Sequence, residues 1–148
     1  MKPPYEILEL VPHSGTMSLL DAVTDQTGDS LTAEVRLHRD SLFATEQGVP
    51  AWIGIEYMAQ AIAAFAGVEA KAAGREIRIG FLVGSRKYTC NAPYFPLGCT
   101  LTVTVTQELQ ADNGLAVFVC HIAAGKITAE ASLNVFQPDN VNDFLENA

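Results

Sequence analysis

The most regular pattern in the chain has a period of two. Between residues 100 and 109, Leu101, Val103 and Val105 alternate with Thr102, Thr104 and Thr106. Successive strand side chains point to opposite faces, so this spacing predicts a half-buried β-strand. Residues 31–38 alternate in the same way, with Leu31, Ala33, Val35 and Leu37 set against Thr32, Glu34, Arg36 and His38. A strand over 19–25 precedes that run, across the hairpin signal Gly28-Asp29. Further strands are expected over 77–83, 85–91, 115–123 and 127–136, with turns at Asp112-Asn113-Gly114 and Gly125. Residues 39–49 and 92–98 read as loops. A short helix is expected over 5–10, stopped by Pro12, and the segment from 138 reads as a loosely held acidic tail.

One stretch breaks the period. From Pro50, the sequence Ala51-Trp52-Ile53-Gly54-Ile55-Glu56-Tyr57-Met58-Ala59-Gln60-Ala61-Ile62-Ala63-Ala64-Phe65-Ala66-Gly67 predicts one long helix, with Pro in its first turn and Gly74 as its stop. Trp52, Ile55, Ala59, Ile62 and Ala66 recur at helical spacing and give an apolar face, on a helix apolar almost all round and therefore expected to be buried. Many alanines leave room for close approach by other backbones. Glu56 is the exception, a carboxylate expected to be buried among Ile53, Ile55, Tyr57 and Met58, with Gln60 one turn on to hydrogen-bond it. Strands before and after a single central helix predict an α+β domain, an antiparallel sheet wrapped around that helix. Such a sheet leaves an edge strand and a helix face to be covered, as homodimers commonly do.

Composition narrows the partners. The 148 residues fit one domain, and the net charge of −8 argues against nucleic acid and anionic membrane surfaces. Glu56 and Gln60 are expected to disqualify the helix as a membrane span. Five of the nine basic residues (Lys71, Arg75, Arg78, Arg86 and Lys87) are close in sequence. They suit docking of a small acidic partner as well as they suit a solvated helix end. Cys90, Cys99 and Cys120 lack metal-type spacing and read as buried thiols of a reducing compartment. The start, Met1-Lys2-Pro3-Pro4, does not resemble a signal peptide, so a cytoplasmic location is expected.

Over residues 8–136 the chain resembles the hot-dog-fold 3-hydroxyacyl-carrier-protein dehydratases. The residues that carry the likeness are Leu10-Val11-Pro12-His13, Ser18-Leu19-Leu20-Asp21-Ala22-Val23 and Ile55-Glu56-Tyr57-Met58-Ala59-Gln60. Phe43 and Pro50 fall on family positions upstream without a gap. The chain is also similar to small hot-dog proteins associated with aryl polyene biosynthesis. The resemblance implies a hot-dog fold and the loss of water from a 3-hydroxyacyl thioester on an acyl carrier protein, with no metal or organic cofactor. It also implies a site shared across a dimer, in which a His of one protomer is the base and a helix carboxylate of the other the acid. Glu56 matches the acid and Gln60 the residue that steadies it. Gly84 and Phe43 match substrate-contacting positions, and Arg75, Arg78, Arg86 and Lys87 would face the carrier protein.

The sequence departs from that pattern at the base. The ungapped match puts Leu42 at the catalytic His, and leucine accepts no proton. His13 is a substitute base by chemistry alone, since it falls on a family His that is not catalytic. His38 and His121 read as ordinary strand residues. Three readings stand. The chain is a dehydratase, acting as a homodimer or paired with a His-bearing hot-dog partner. It is an acyl thioesterase in which Glu56 activates water. Or it is a non-catalytic subunit that binds the acyl carrier.

Overall fold

The computed structural model describes residues 19–74 and 81–136. They form a six-stranded antiparallel sheet, a two-stranded one and a long helix. The strands are β1 (Ala22–Thr27), β2 (Ser30–Arg36), β3 (Val49–Pro50), β4 (Phe81–Cys90), β5 (Tyr94–Phe95), β6 (Thr100–Gln110), β7 (Leu115–Ala124) and β8 (Ile127–Phe136). Their order in the large sheet is β1-β2-β6-β7-β8-β4, and β3 pairs with β5. The helix α1 (Gly54–Ala72) is entered through a 3-10 turn, Ala51–Ile53. It packs across β2, β6, β7 and β8.

The period-two runs fold as their pattern requires. Leu31, Ala33 and Val35 of β2, Leu101, Val103 and Val105 of β6, and Phe118, Cys120 and Ile122 of β7 are buried on the helix side. Each large apolar side chain buried this way contributes about 1.5–3 kcal/mol. Gly74, at φ 69, follows the helix end in the left-handed conformation that a C-terminal stop needs. β3 and β5 lie in segments expected to be loops; two residues each give no period to read. The described parts of the runs expected at 77–83 and 85–91 meet in one strand, β4, whose register against β8 shifts at Leu82/Gly84 and again at Arg86/Thr89; residues 77–80 lie outside the described residues. The expected helix over 5–10 and the tail from 138 lie outside the described residues.

The helix corrects two expectations. Its sheet-facing side is Ile53, Tyr57, Met58, Ala61, Ile62, Ala64, Phe65 and Val68. The apolar face read from helical spacing turns the other way: Trp52 is exposed, and Ile55, Ala59 and Ala66 are only half-buried, with Ile62 alone in the core. A helix apolar almost all round has no period to separate its sides, and the bulkier side chains go to the sheet. By length and composition Ala51–Ala72 could cross a membrane despite Glu56 and Gln60, but 67% of that window is buried in the fold, as in a core helix. All three cysteines are free; Cys120 is buried, Cys90 and Cys99 half-buried.

Candidate active site

Glu56 stands in the first turn of α1, where a negative charge is favoured by the helix dipole. It is exposed in the single chain, contrary to the expected burial. No hydrogen bond or ion pair joins it to another described residue. The cause is its angular position. With Trp52, Ile55, Ala59, Ala63 and Ala66 it lies on the stripe turned away from the sheet. Gln60, by contrast, is buried, and its side-chain oxygen accepts the Leu19 N–H at 2.7 Å. Its described bond therefore ties the lead into β1 to the helix, and does not hold Glu56.

The turn that carries Glu56 is fixed from several sides. Pro50 precedes it with φ −53 and ψ 136, extended values that turn the β3 strand into the helix. The Ala51 N–H donates to the Pro93 carbonyl at 3.0 Å. The Tyr88 hydroxyl, from β4, donates to the Ala51 carbonyl.

Beside this turn an apolar cluster faces out. Trp52 is 65% exposed, Phe43 43% and Leu42 36%. The Phe43 and Trp52 rings are tilted against each other with centroids 6.3 Å apart. Phe43 has φ 70, a left-handed conformation that a bulky residue adopts only when its surroundings impose it. Those surroundings are hydrogen-bonded: Ser41 N–H to the His38 carbonyl at 3.0 Å, Ala44 N–H to the Ser41 carbonyl at 3.1 Å, and a reciprocal Thr45–Gly48 pair. The loop is thus built to present Leu42 and Phe43 at the surface.

Behind Leu42 is a cleft of about 250 Å3 lined in part by Asp21, Arg36, His38, Asp40 and Tyr57. Tyr57 packs on Phe95 at 6.4 Å, and its phenol is pushed up to about 12, first by burial and then by Cys99 and Asp21. His38 lies just beyond β2, its Nδ1 accepting the Asp40 N–H at 3.2 Å. Alternation over 31–38 sets His38 on the wet face of a strand, whereas the structure puts it past the end of β2, lining the same cleft as Leu42. His121 is a half-buried residue of β7, its Nε2 3.9 Å from Glu130 of β8.

The remaining candidates lie in β4 or outside the described residues. Gly84 lies in β4 at the first register shift, and Lys87 is exposed in the same strand. Arg86 pairs through its backbone with Ser132. His13, Arg75 and Arg78 lie outside the described residues. Among the described residues, no group of three or more His, Cys, Asp or Glu side chains forms a metal-sized cluster. What this surface offers chemically is one open carboxylate near an exposed apolar cluster.

A search of curated protein sequences found no match. Among solved structures, the fold is similar to the dehydratase heterocomplex ApeI:P from Xenorhabdus doucetiae, with a TM-score of 0.87, 28% identity and 98% of each chain covered. The PaaI protein from the phenylacetic acid degradation operon of E. coli shares the fold at a TM-score of 0.61 and 13% identity, over 77% of this chain and 80% of that one. A hypothetical thioesterase with coenzyme A from Streptococcus pneumoniae shares it at 0.58 and 14%, over 78% and 86%. The architecture is therefore the hot-dog fold. Residues 5–146 match the ApeP-like family, described as ApeP dehydratase, and the chain belongs to that family of dehydratases.

Proposed function

We propose that this chain is the acid-bearing subunit of a 3-hydroxyacyl-carrier-protein dehydratase whose base comes from a second hot-dog subunit, in fatty-acid-like or polyene biosynthesis. The observation that carries this reading is the open Glu56, unpartnered among the described residues, and the resemblance adds to it a leucine, Leu42, where the family has its catalytic His. Elimination of water needs two proton-transfer groups, and this surface supplies one. The exposed Leu42, Phe43 and Trp52 side chains suit contact with another subunit. The similarity to a chain of a dehydratase heterocomplex supports a mixed pair.

The step balances without any change of oxidation state. The partner's base takes a proton from the carbon next to the thioester carbonyl. The C–H electron pair becomes the new carbon–carbon double bond as the C3–O bond breaks. Glu56, in its protonated form, gives its proton to the departing hydroxyl, which leaves as water. The product is the trans-2-enoyl thioester, and the proton held by the base returns to the carboxylate through solvent. A partner seated over the stripe removes water from around Glu56 and strengthens its hydrogen bond to the leaving oxygen.

The test is to incubate 3-hydroxyacyl carrier-protein thioesters with the chain alone and with a co-expressed hot-dog partner. Enoyl product only with the partner, its steady-state turnover lost in Glu56→Gln to leave at most a trace seen in single turnover, is the expected result. Turnover by the chain alone that is lost in His13→Ala would replace the mixed site by a self-sufficient one. Release of free thiol would make the protein a thioesterase. No turnover in either case would leave a carrier-binding role.

A further inference from the structure

The second register shift of β4 decides which side chain meets the helix. Ser85 pairs with Leu133 and Arg86 with Ser132. Carried forward, that register would set Lys87 opposite the buried Ala131 and Tyr88 opposite the exposed Glu130. Pairing resumes instead with Thr89 opposite Glu130, so Lys87 and Tyr88 together face one residue of β8. An extra residue of this kind re-aims a side chain. Tyr88 turns inward and its hydroxyl reaches the Ala51 carbonyl.

The backbone is strained to achieve this. Lys87 has φ 54, in the left-handed region, which costs a non-glycine residue energy that the surroundings must offset. The helix side makes a matching provision. A Cβ at Gly54 would run into the Tyr88 hydroxyl and lie 3.1 Å from Tyr88 Cζ and 3.2 Å from Ile122 Cδ1. Glycine is otherwise a poor helix residue, and here it leaves the space that Tyr88 fills. A bulge, a strained residue and a glycine thus serve one contact, at the turn that leads into Glu56. Tyr88 belongs to the outermost strand on its side of the described sheet, and its hydroxyl adds a side-chain tie to the backbone tie that Pro93 makes to Ala51.

We propose that Tyr88 is a positioning residue for Glu56. By holding the Ala51 carbonyl it sets the first turn of α1, and with it the carboxylate, at a fixed distance and angle from β4. Burial raises the Tyr88 phenol well above its ordinary range, so it remains a donor wherever the enzyme works. The proposal rests on Glu56 being the acid.

Its test is Tyr88→Phe in the active two-subunit assembly, which keeps the ring and removes the hydroxyl. kcat should fall about ten- to a hundredfold while KM for the carrier thioester changes less than about twofold, because the loss is one of alignment. Gly54→Ala, which crowds the hydroxyl from the helix side, is a second variant and should show the same split. In a Glu56→Gln background, where the positioned group is gone, adding Tyr88→Phe should lower the residual single-turnover rate less than about twofold. An unchanged kcat in Tyr88→Phe, or equal losses in both backgrounds, would overturn the proposal. Full activity of Glu56→Gln alone would instead remove the acid assignment, so the two failures are read separately.

Discussion

The two sides of α1 are almost equally apolar and do opposite jobs. Toward the sheet it presents Tyr57, Met58, Ile62, Phe65 and Val68, interlocked with β2, β6, β7 and β8. Away from it lie Trp52, Ile55, Glu56, Ala59, Ala63 and Ala66, exposed or half-buried in the single chain. The first side is finished by residues of its own chain. The second is small-faced enough for another backbone to approach and carries the only acidic group of the first turn. Hydrophobicity places the helix in the fold, whereas side-chain size separates the side that holds the domain together from the side left open for a second surface.

The comparison breaks most visibly on the inner side. Phe65 is 1% exposed and meets Phe118 edge-on at 5.3 Å. Phe65→Ala should cost about 3–5 kcal/mol, lost aromatic burial plus a cavity. A fall in the denaturation midpoint at unchanged m value checks it. Gln60 sits between the two sides and should show a smaller loss. Gln60→Leu leaves the Leu19 N–H without the acceptor now at 2.7 Å, a cost of about 1–3 kcal/mol where that N–H stays buried. Midpoints equal to the unsubstituted chain would show that the lead into β1 is held elsewhere.

Most strands were legible because one face of each is wet and the other dry. Ile127–Phe136 and Thr100–Gln110 fold close to where their alternation predicts. The helix was legible as a helix but not as to its orientation, because Trp52, Ile55, Ala59 and Ala66 carry the same period as a buried face. That error also placed Glu56 inside the core. The Glu56-Tyr57-Met58-Ala59-Gln60 motif pointed to the dehydratase family without any coordinates. The link between Tyr88 and Ala51 was beyond reach. It depends on a one-residue bulge in β4 that no residue pattern over 85–91 marks.

The outer side makes a contrasting prediction at Ala63, which is half-buried in the single chain. Ala63→Leu should shift the stability of the isolated chain by less than about 0.5 kcal/mol, as surface changes generally do. If a hot-dog partner packs closely on this stripe, the same substitution should weaken its association by about 1–3 kcal/mol through overpacking. Titration of the labelled chain with its partner reads that difference. An unchanged affinity would mean the partner leaves the alanines open and touches only the Leu42–Phe43–Trp52 end.

The smallest expected effect gives the sharpest contrast. Glu56 makes no hydrogen bond or ion pair with another described residue and is exposed, so it contributes little to holding the single chain together. Its favourable place near the helix N-terminus accounts for about 0.3–1 kcal/mol at most, less in salt. Glu56→Gln keeps the shape and removes that charge, so the unfolding midpoint of the isolated chain should barely move, while turnover by the two-subunit assembly should disappear. A structural carboxylate would give the reverse, a lowered midpoint with proportionate activity in the protein that remains folded. Measuring both quantities on one preparation therefore tests whether the two sides of the helix are divided between stability and chemistry.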